Sequence, residues 1–76
     1  MYLSKVSWCH VCNQGWVCIV KTNDNHYYCL CTECETEWDS PKDCLNRVEG
    51  THDKYASAVD LSDEELEKWS DFIIQD

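Results

Sequence analysis

Positive charge is what this sequence has least of. Six Lys and Arg stand against 15 Asp and Glu in 76 residues, a formal net charge of -9. Lys5 and Lys21 balance Asp24 and Glu33 in residues 1–34, so the whole imbalance lies in residues 35–76, where four bases face 13 acids. A field of that sign repels phosphate backbones and draws basic partners, so nucleic acid is not an expected ligand. Long apolar runs are also missing. No stretch of the roughly 18 residues needed to cross a bilayer is present. Residues 1–8 carry neither the apolar core nor the cleavage pattern of a secretory signal. With two glycines there is no Gly-rich phosphate loop, and no Ser–His–Asp or Cys–His constellation stands out. The expectation is a protein of the reducing cytoplasm that is not an enzyme.

Cysteine is what the sequence has in excess: seven in 76 residues. An odd count argues against a complete disulfide framework, and reduced thiols bind metal rather than pair. A chain this short forms one domain, 1–76, whose core alone is marginal and which gains from a metal staple. Cys9-His-Val-Cys12 and Cys31-Thr-Glu-Cys34 make the pattern C-x2-C-x18-C-x2-C. Two residues between cysteines let one tight turn aim both sulfurs at a point. The intervening stretch is long enough for a hairpin to return the second turn beside the first. Four thiolates then enclose one structural Zn2+ with no open coordination position. Cys29 sits one residue from Cys31 and is the alternative ligand, while Cys18 and Cys44 read as small buried apolar groups.

The rest of the chain supports a ribbon over 8–39. Trp16–Lys21 and His26–Cys31 have strand composition, and Thr22–Asn25 has turn chemistry. A turn centred on Asn23-Asp24 sets Trp16 opposite Cys31 and Cys18 opposite Cys29. Glu35–Asp39 supplies a third, edge strand, and Gly15 gives the backbone freedom to enter the first. Residues 40–50 form a short helix and turn: Ser40 caps it, Pro41 takes the first helical position, Cys44, Leu45 and Val48 share a face, and Gly50 ends the turn. Residues 51–61 are a polar connector. An acidic amphipathic helix follows over 62–76, opened by the Ser62/Glu65 capping box and the Leu61/Leu66 staple. Leu66, Trp69, Phe72 and Ile73 make its apolar stripe, and Glu64, Glu67 and Asp71 its acidic face. The fold class is therefore small α+β: a hairpin or three-stranded antiparallel sheet carrying two zinc knuckles, followed by one or two short helices.

The stretch Trp8-Cys-His-Val-Cys-Asn-Gln-Gly-Trp-Val17 with Tyr28-Cys-Leu-Cys-Thr-Glu-Cys-Glu-Thr-Glu-Trp-Asp39 resembles the zinc-ribbon superfamily. More narrowly it resembles small stand-alone bacterial ribbon proteins with acidic tails, some of which look like immunity proteins of contact-dependent growth inhibition and related toxin systems. The resemblance covers residues 8–45 and implies the ligands Cys9, Cys12, Cys31 and Cys34. The chain departs from common ribbons in Cys29 and in having no Gly directly after either knuckle. The implied function is a protein-binding module that covers a basic toxin, such as a nuclease domain. Glu35, Glu37, Asp39, Glu64, Glu67 and Asp71 are the candidate contacts. The alternatives are a ribbon adaptor or nucleic-acid-associated factor of transcription or translation, and a rubredoxin-like iron electron carrier.

Overall fold

A computed structural model describes residues 2–74. It contains a four-stranded antiparallel sheet in the order β1-β2-β3-β4, with β1 at Lys5–Trp8, β2 at Trp16–Lys21, β3 at Tyr27–Cys31 and β4 at Glu37–Trp38. Two short helices follow, α1 at Pro41–Leu45 and α2 at Asp63–Lys68. The fold is a small α+β, zinc-ribbon-like one with one strand more than expected. The added strand, β1, pairs with β2 across a bulge between Lys5 and Ser7. Its signal in the sequence is slight, because only Val6 of its four residues is buried.

The β2–β3 register differs from the expected one by a single residue. Val17 faces Cys31, Cys18 faces Leu30 and Ile19 faces Cys29. The cause is the connecting loop. Lys21 pairs with Tyr27, leaving five residues, Thr22–His26, closed by the Thr22 N–H to His26 carbonyl bond of 2.9 Å, with Asn25 left-handed at φ 64°. Since side chains alternate across a sheet, a one-residue shift exchanges faces. Cys18 and Cys29, expected side by side, therefore lie on opposite faces.

One face carries Val17, Ile19, Cys29, Cys31 and Trp38, which join Val6, Cys9, Cys44 and Ile73 in the main core. Leu61, Leu66, Trp69 and Phe72 pack against that core as the expected stripe does. The other face carries Cys18, Val20 and Tyr28. Residues 51–59 close it. This segment has no helix or strand, as a connector should, yet it is clamped at both ends by isolated bridges, Thr51 to Glu37 and Val59 to Lys21. Between the clamps Tyr55 stacks on Tyr28 at 4.0 Å, and the Tyr28 hydroxyl donates to the Ser57 carbonyl at 2.7 Å. The connector is a strap that serves as the second core's lid.

Both helix starts follow their local signals. Ser40 accepts from the Asp43 N–H with Pro41 at the head of α1, and Ser62 and Glu65 form the reciprocal box at α2. The ends do not. Helix α1 stops at its Asn46 cap, so Cys44 is buried while Leu45 and Val48 are exposed. Gly50 does not end it: the left-handed residue is Arg47. Gly50 instead lies where any Cβ would come within 2.8 Å of the Glu37 carbonyl oxygen. Helix α2 ends at Trp69, well short of 76, because Ser70–Ile73 turn to bring Phe72 and Ile73 down onto the core. Gln75 and Asp76, placed in that helix by the sequence, lie outside the described residues.

Candidate metal centre

The hairpin's ends bring Cys9, Cys12, Cys31 and Cys34 into one cluster, with their sulfurs all within 4.8 Å of one another. Each pair sits on the same turn. The Asn13 N–H donates to the Cys9 carbonyl at 3.1 Å, and the Glu35 N–H donates to the Cys31 carbonyl at 3.1 Å. Asn13 (φ 55°) and Glu35 (φ 61°) take the left-handed conformation just past Cys12 and Cys34. The knuckle geometry thus forms without the usual glycine. Gly15 has no positive φ; its place is set by proximity, since a Cβ there would lie 2.9 Å from the Glu33 Cβ of the opposite knuckle.

The four sulfurs fit a metal ion. Cys9 Sγ lies 3.8 Å from Cys34 Sγ, and Cys12 Sγ lies 3.7 Å from Cys31 Sγ. A sulfur tetrahedron around an ion with bonds of about 2.3 Å has edges of about 3.8 Å. Four protein thiolates fill such a shell and leave no position for water or substrate, so the site is structural. Cys29 is not among the four; it is buried in the core beside them.

The protonation of these thiols depends on what reaches each sulfur. Burial pushes the Cys31 thiol up to about 12, against backbone N–H groups of Cys34 and Glu33. It also raises Cys9, against the N–H groups of Cys12 and Val11. At Cys34 burial is outweighed by the Thr36 hydroxyl and N–H and by the thiols of Cys31 and Cys12, which bring it down to about 6. A metal ion bound by four thiolates displaces the thiol protons, so loading releases protons and acid opposes it. The remaining cysteines are unlike these. Burial raises Cys18 and Cys44 to about 11 and raises Cys29 as well, leaving three inert core thiols at neutral pH.

The six candidate partner contacts separate. Glu37 is not a surface group: it is 4% exposed and accepts from the Lys54 N–H at 2.9 Å, the Tyr55 N–H at 3.3 Å and the Thr51 hydroxyl at 3.2 Å, which is how the strap is held. Asp39 is exposed, but its charge is met by Lys54 Nζ at 2.7 Å, with the Tyr55 hydroxyl at 2.5 Å. Glu35 is exposed on the second knuckle. Glu64, Glu67 and Asp71 are exposed on and just past α2. Nothing in the alternation Glu35-Thr-Glu-Trp-Asp39 of an edge strand announces that its inward acid, Glu37, anchors a distant strap. Four of the six basic residues are engaged within the chain. Lys5 lies over the Trp16 ring, Lys21 pairs with Glu65 at 2.8 Å, Lys68 lies over Tyr27 and Lys54 holds Asp39.

Among the described residues no helix is long and apolar enough to cross a membrane. The chain matches no protein-family model, no curated protein and no solved structure with which it was compared, so its site is interpreted from its own geometry.

Proposed function

We propose that this chain is a zinc-stapled protein-binding module that neutralises a basic partner, in the manner of an immunity protein covering a toxin nuclease. The observation that carries the proposal is the charge: -9 on 76 residues, all of it arising in residues 35–76. A four-thiolate zinc site adds about two more negative charges. A nuclease surface must be basic to hold a phosphate backbone, and an acidic cover associates with it quickly through steering. The absence of an open metal position favours binding over catalysis.

The docking face we assign is the α2 end. Glu64, Glu67 and Asp71 are exposed there beside a groove lined by Leu3, Leu66, Glu67, Ser70 and Ile73, with Leu3 78% exposed. Apolar anchors framed by acids that form no ion pair among the described residues suit a protein surface of basic residues around an apolar contact. Native mass spectrometry of the protein purified from its source, before and after chelation, tests the reading. One zinc with a retained basic protein supports it. For that partner, the triple change E64K/E67K/D71K should slow association and flatten its salt dependence. Association unchanged by the reversal would remove α2 as the docking face, and purification without a basic partner would remove the neutralising role.

A second reading has a specific observation in its favour. An iron S4 carrier resembling rubredoxin is disfavoured by missing glycines only if the knuckles need them, and Asn13 and Glu35 take those left-handed positions. Colour decides: a red protein with visible absorbance favours iron, and a colourless zinc-loaded one ends it.

A further inference from the structure

We propose that Thr36 and His52 form an outer hydrogen-bond chain to Cys34 that orients this ligand and sets how tightly the metal is gripped. Thr36 Oγ1 lies 3.1 Å from Cys34 Sγ and 3.2 Å from His52 Nε2. A hydroxyl has one proton to give. A metal-bound cysteine is a thiolate and only accepts, so the Thr36 proton points at Cys34. The Thr36 oxygen must then accept from the ring, which makes His52 Nε2 the donor. The direction is His52 to Thr36 to Cys34. Thr36 is 2% exposed, so water does not compete for its hydroxyl. At Cys9 and Cys31 the sulfurs are reached by backbone N–H groups, which every residue but proline carries. Cys34 is reached by the Thr36 N–H and, in addition, by the Thr36 hydroxyl, a side-chain group whose identity matters.

The chain also gives the strap a part in the metal centre. His52 follows Thr51, whose backbone is bonded to Glu37 in both directions at 2.8 and 2.9 Å. Glu37 is next to Thr36, so one short segment positions both the hydroxyl and its donor. Outer-shell partners of metal ligands typically change metal affinity by about 10- to 100-fold when removed.

The test is chelator competition on the zinc-loaded full chain, with charge-transfer absorbance of the cobalt-substituted protein as the second readout. Thr36→Val keeps the shape and removes the hydroxyl. It should weaken zinc binding roughly 10- to 100-fold and move the sulfur-to-cobalt band to longer wavelength, because a thiolate relieved of a hydrogen bond gives up its electron more easily. Thr36→Ser should restore both. His52 is exposed, so its variants leave the core intact. His52→Leu should shift band and affinity in the same direction by less, and His52→Gln, which keeps an N–H donor, should recover most of the loss. Wild-type affinity with an unmoved band in Thr36→Val overturns the proposal. So does a Thr36→Ser protein as weak as Thr36→Val, which would make the methyl group the part that counts.

Discussion

The two knuckles are built on one turn and embedded in different surroundings. Their backbones agree: the same 3.1 Å bond closes each, and a left-handed residue follows each second cysteine. Beyond the turn they diverge. The first knuckle is a surface feature. His10, Val11, Asn13 and Gln14 are exposed; the Trp8 indole N–H donates to Asn13 Oδ1 at 2.7 Å, and the His10 ring lies 5.6 Å from that of Trp38. The second knuckle runs straight into β4, where Thr36, Glu37 and Trp38 are all buried. From there it reaches the strap through Glu37 and the segment after α1 through the Trp38 indole N–H, which donates to the Val48 carbonyl at 2.7 Å. A metal ion between such knuckles joins an exposed turn to one that runs directly into buried β4. The difference teaches that the ion's structural effect runs mainly outward from the first knuckle and its tuning inward from the second.

Removing the metal should erase the comparison and is the largest effect expected. Structural zinc contributes roughly 10–16 kcal/mol in finger-sized peptides, and a core of this size supplies only about 3–5 kcal/mol. Chelation at neutral pH should therefore unfold the ribbon, seen as loss of amide-exchange protection in β1, β2 and β3. Protection that survives in full would show that the two cores hold the sheet without the ion.

The next effect separates the knuckles by their glycines. A methyl group on Gly50 meets the Glu37 carbonyl oxygen at 2.8 Å and Trp38 Cε2 at 3.2 Å, both parts of buried β4. Gly50→Ala should cost about 1–3 kcal/mol, as overpacking does. A methyl group on Gly15 meets Glu33 Cγ, which a rotamer change moves aside, and Glu33 Cβ at 2.9 Å, which moves only with the backbone of an exposed turn. Gly15→Ala should cost less, and denaturant melts of the two zinc-loaded variants check the order. Equal costs would mean that the first knuckle is as tightly held as the second.

What the sequence disclosed follows the range of its signals. The cysteine pairs, the Ser40–Pro41 start of α1 and the Ser62/Glu65 box each act within a few residues, and each is found as expected. Register was set by how many residues close the hairpin, and Thr22-Asn-Asp-Asn fits a four-residue turn as well as the five-residue loop that His26 completes. The strap was hidden for a different reason. Residues 51–59 are polar because their partners are polar: Glu37 takes their N–H groups and Thr36 takes His52. Apolar periodicity is blind to a segment held that way. Glu37 looked like a surface acid for the same reason, since its burial is compensated by the Thr51 hydroxyl and the N–H groups of Lys54 and Tyr55, 14 to 18 residues further on.

The smallest effect is the sharpest on the comparison, because it should change sign between the knuckles. Glu35 and Asn13 hold equivalent left-handed positions, at φ 61° and 55°. Outside glycine that conformation costs roughly 1–2 kcal/mol for a residue with no local compensation. Glu35 has such a side chain, and it is exposed. Glu35→Gly should then stabilise the zinc-loaded protein by about 1 kcal/mol, the relieved strain exceeding the entropy of the freer unfolded chain. Asn tolerates the left-handed region, and Asn13 also accepts the Trp8 indole bond. Asn13→Gly gives up that bond for little relief, so it should destabilise by about 0.5–1 kcal/mol. Thermal melts of both variants measure the pair. If both glycines stabilise, the Trp8 tether contributes nothing and the first knuckle is held by its metal alone. If neither does, the turn geometry is imposed by the ion so strongly that the residue after each knuckle no longer matters.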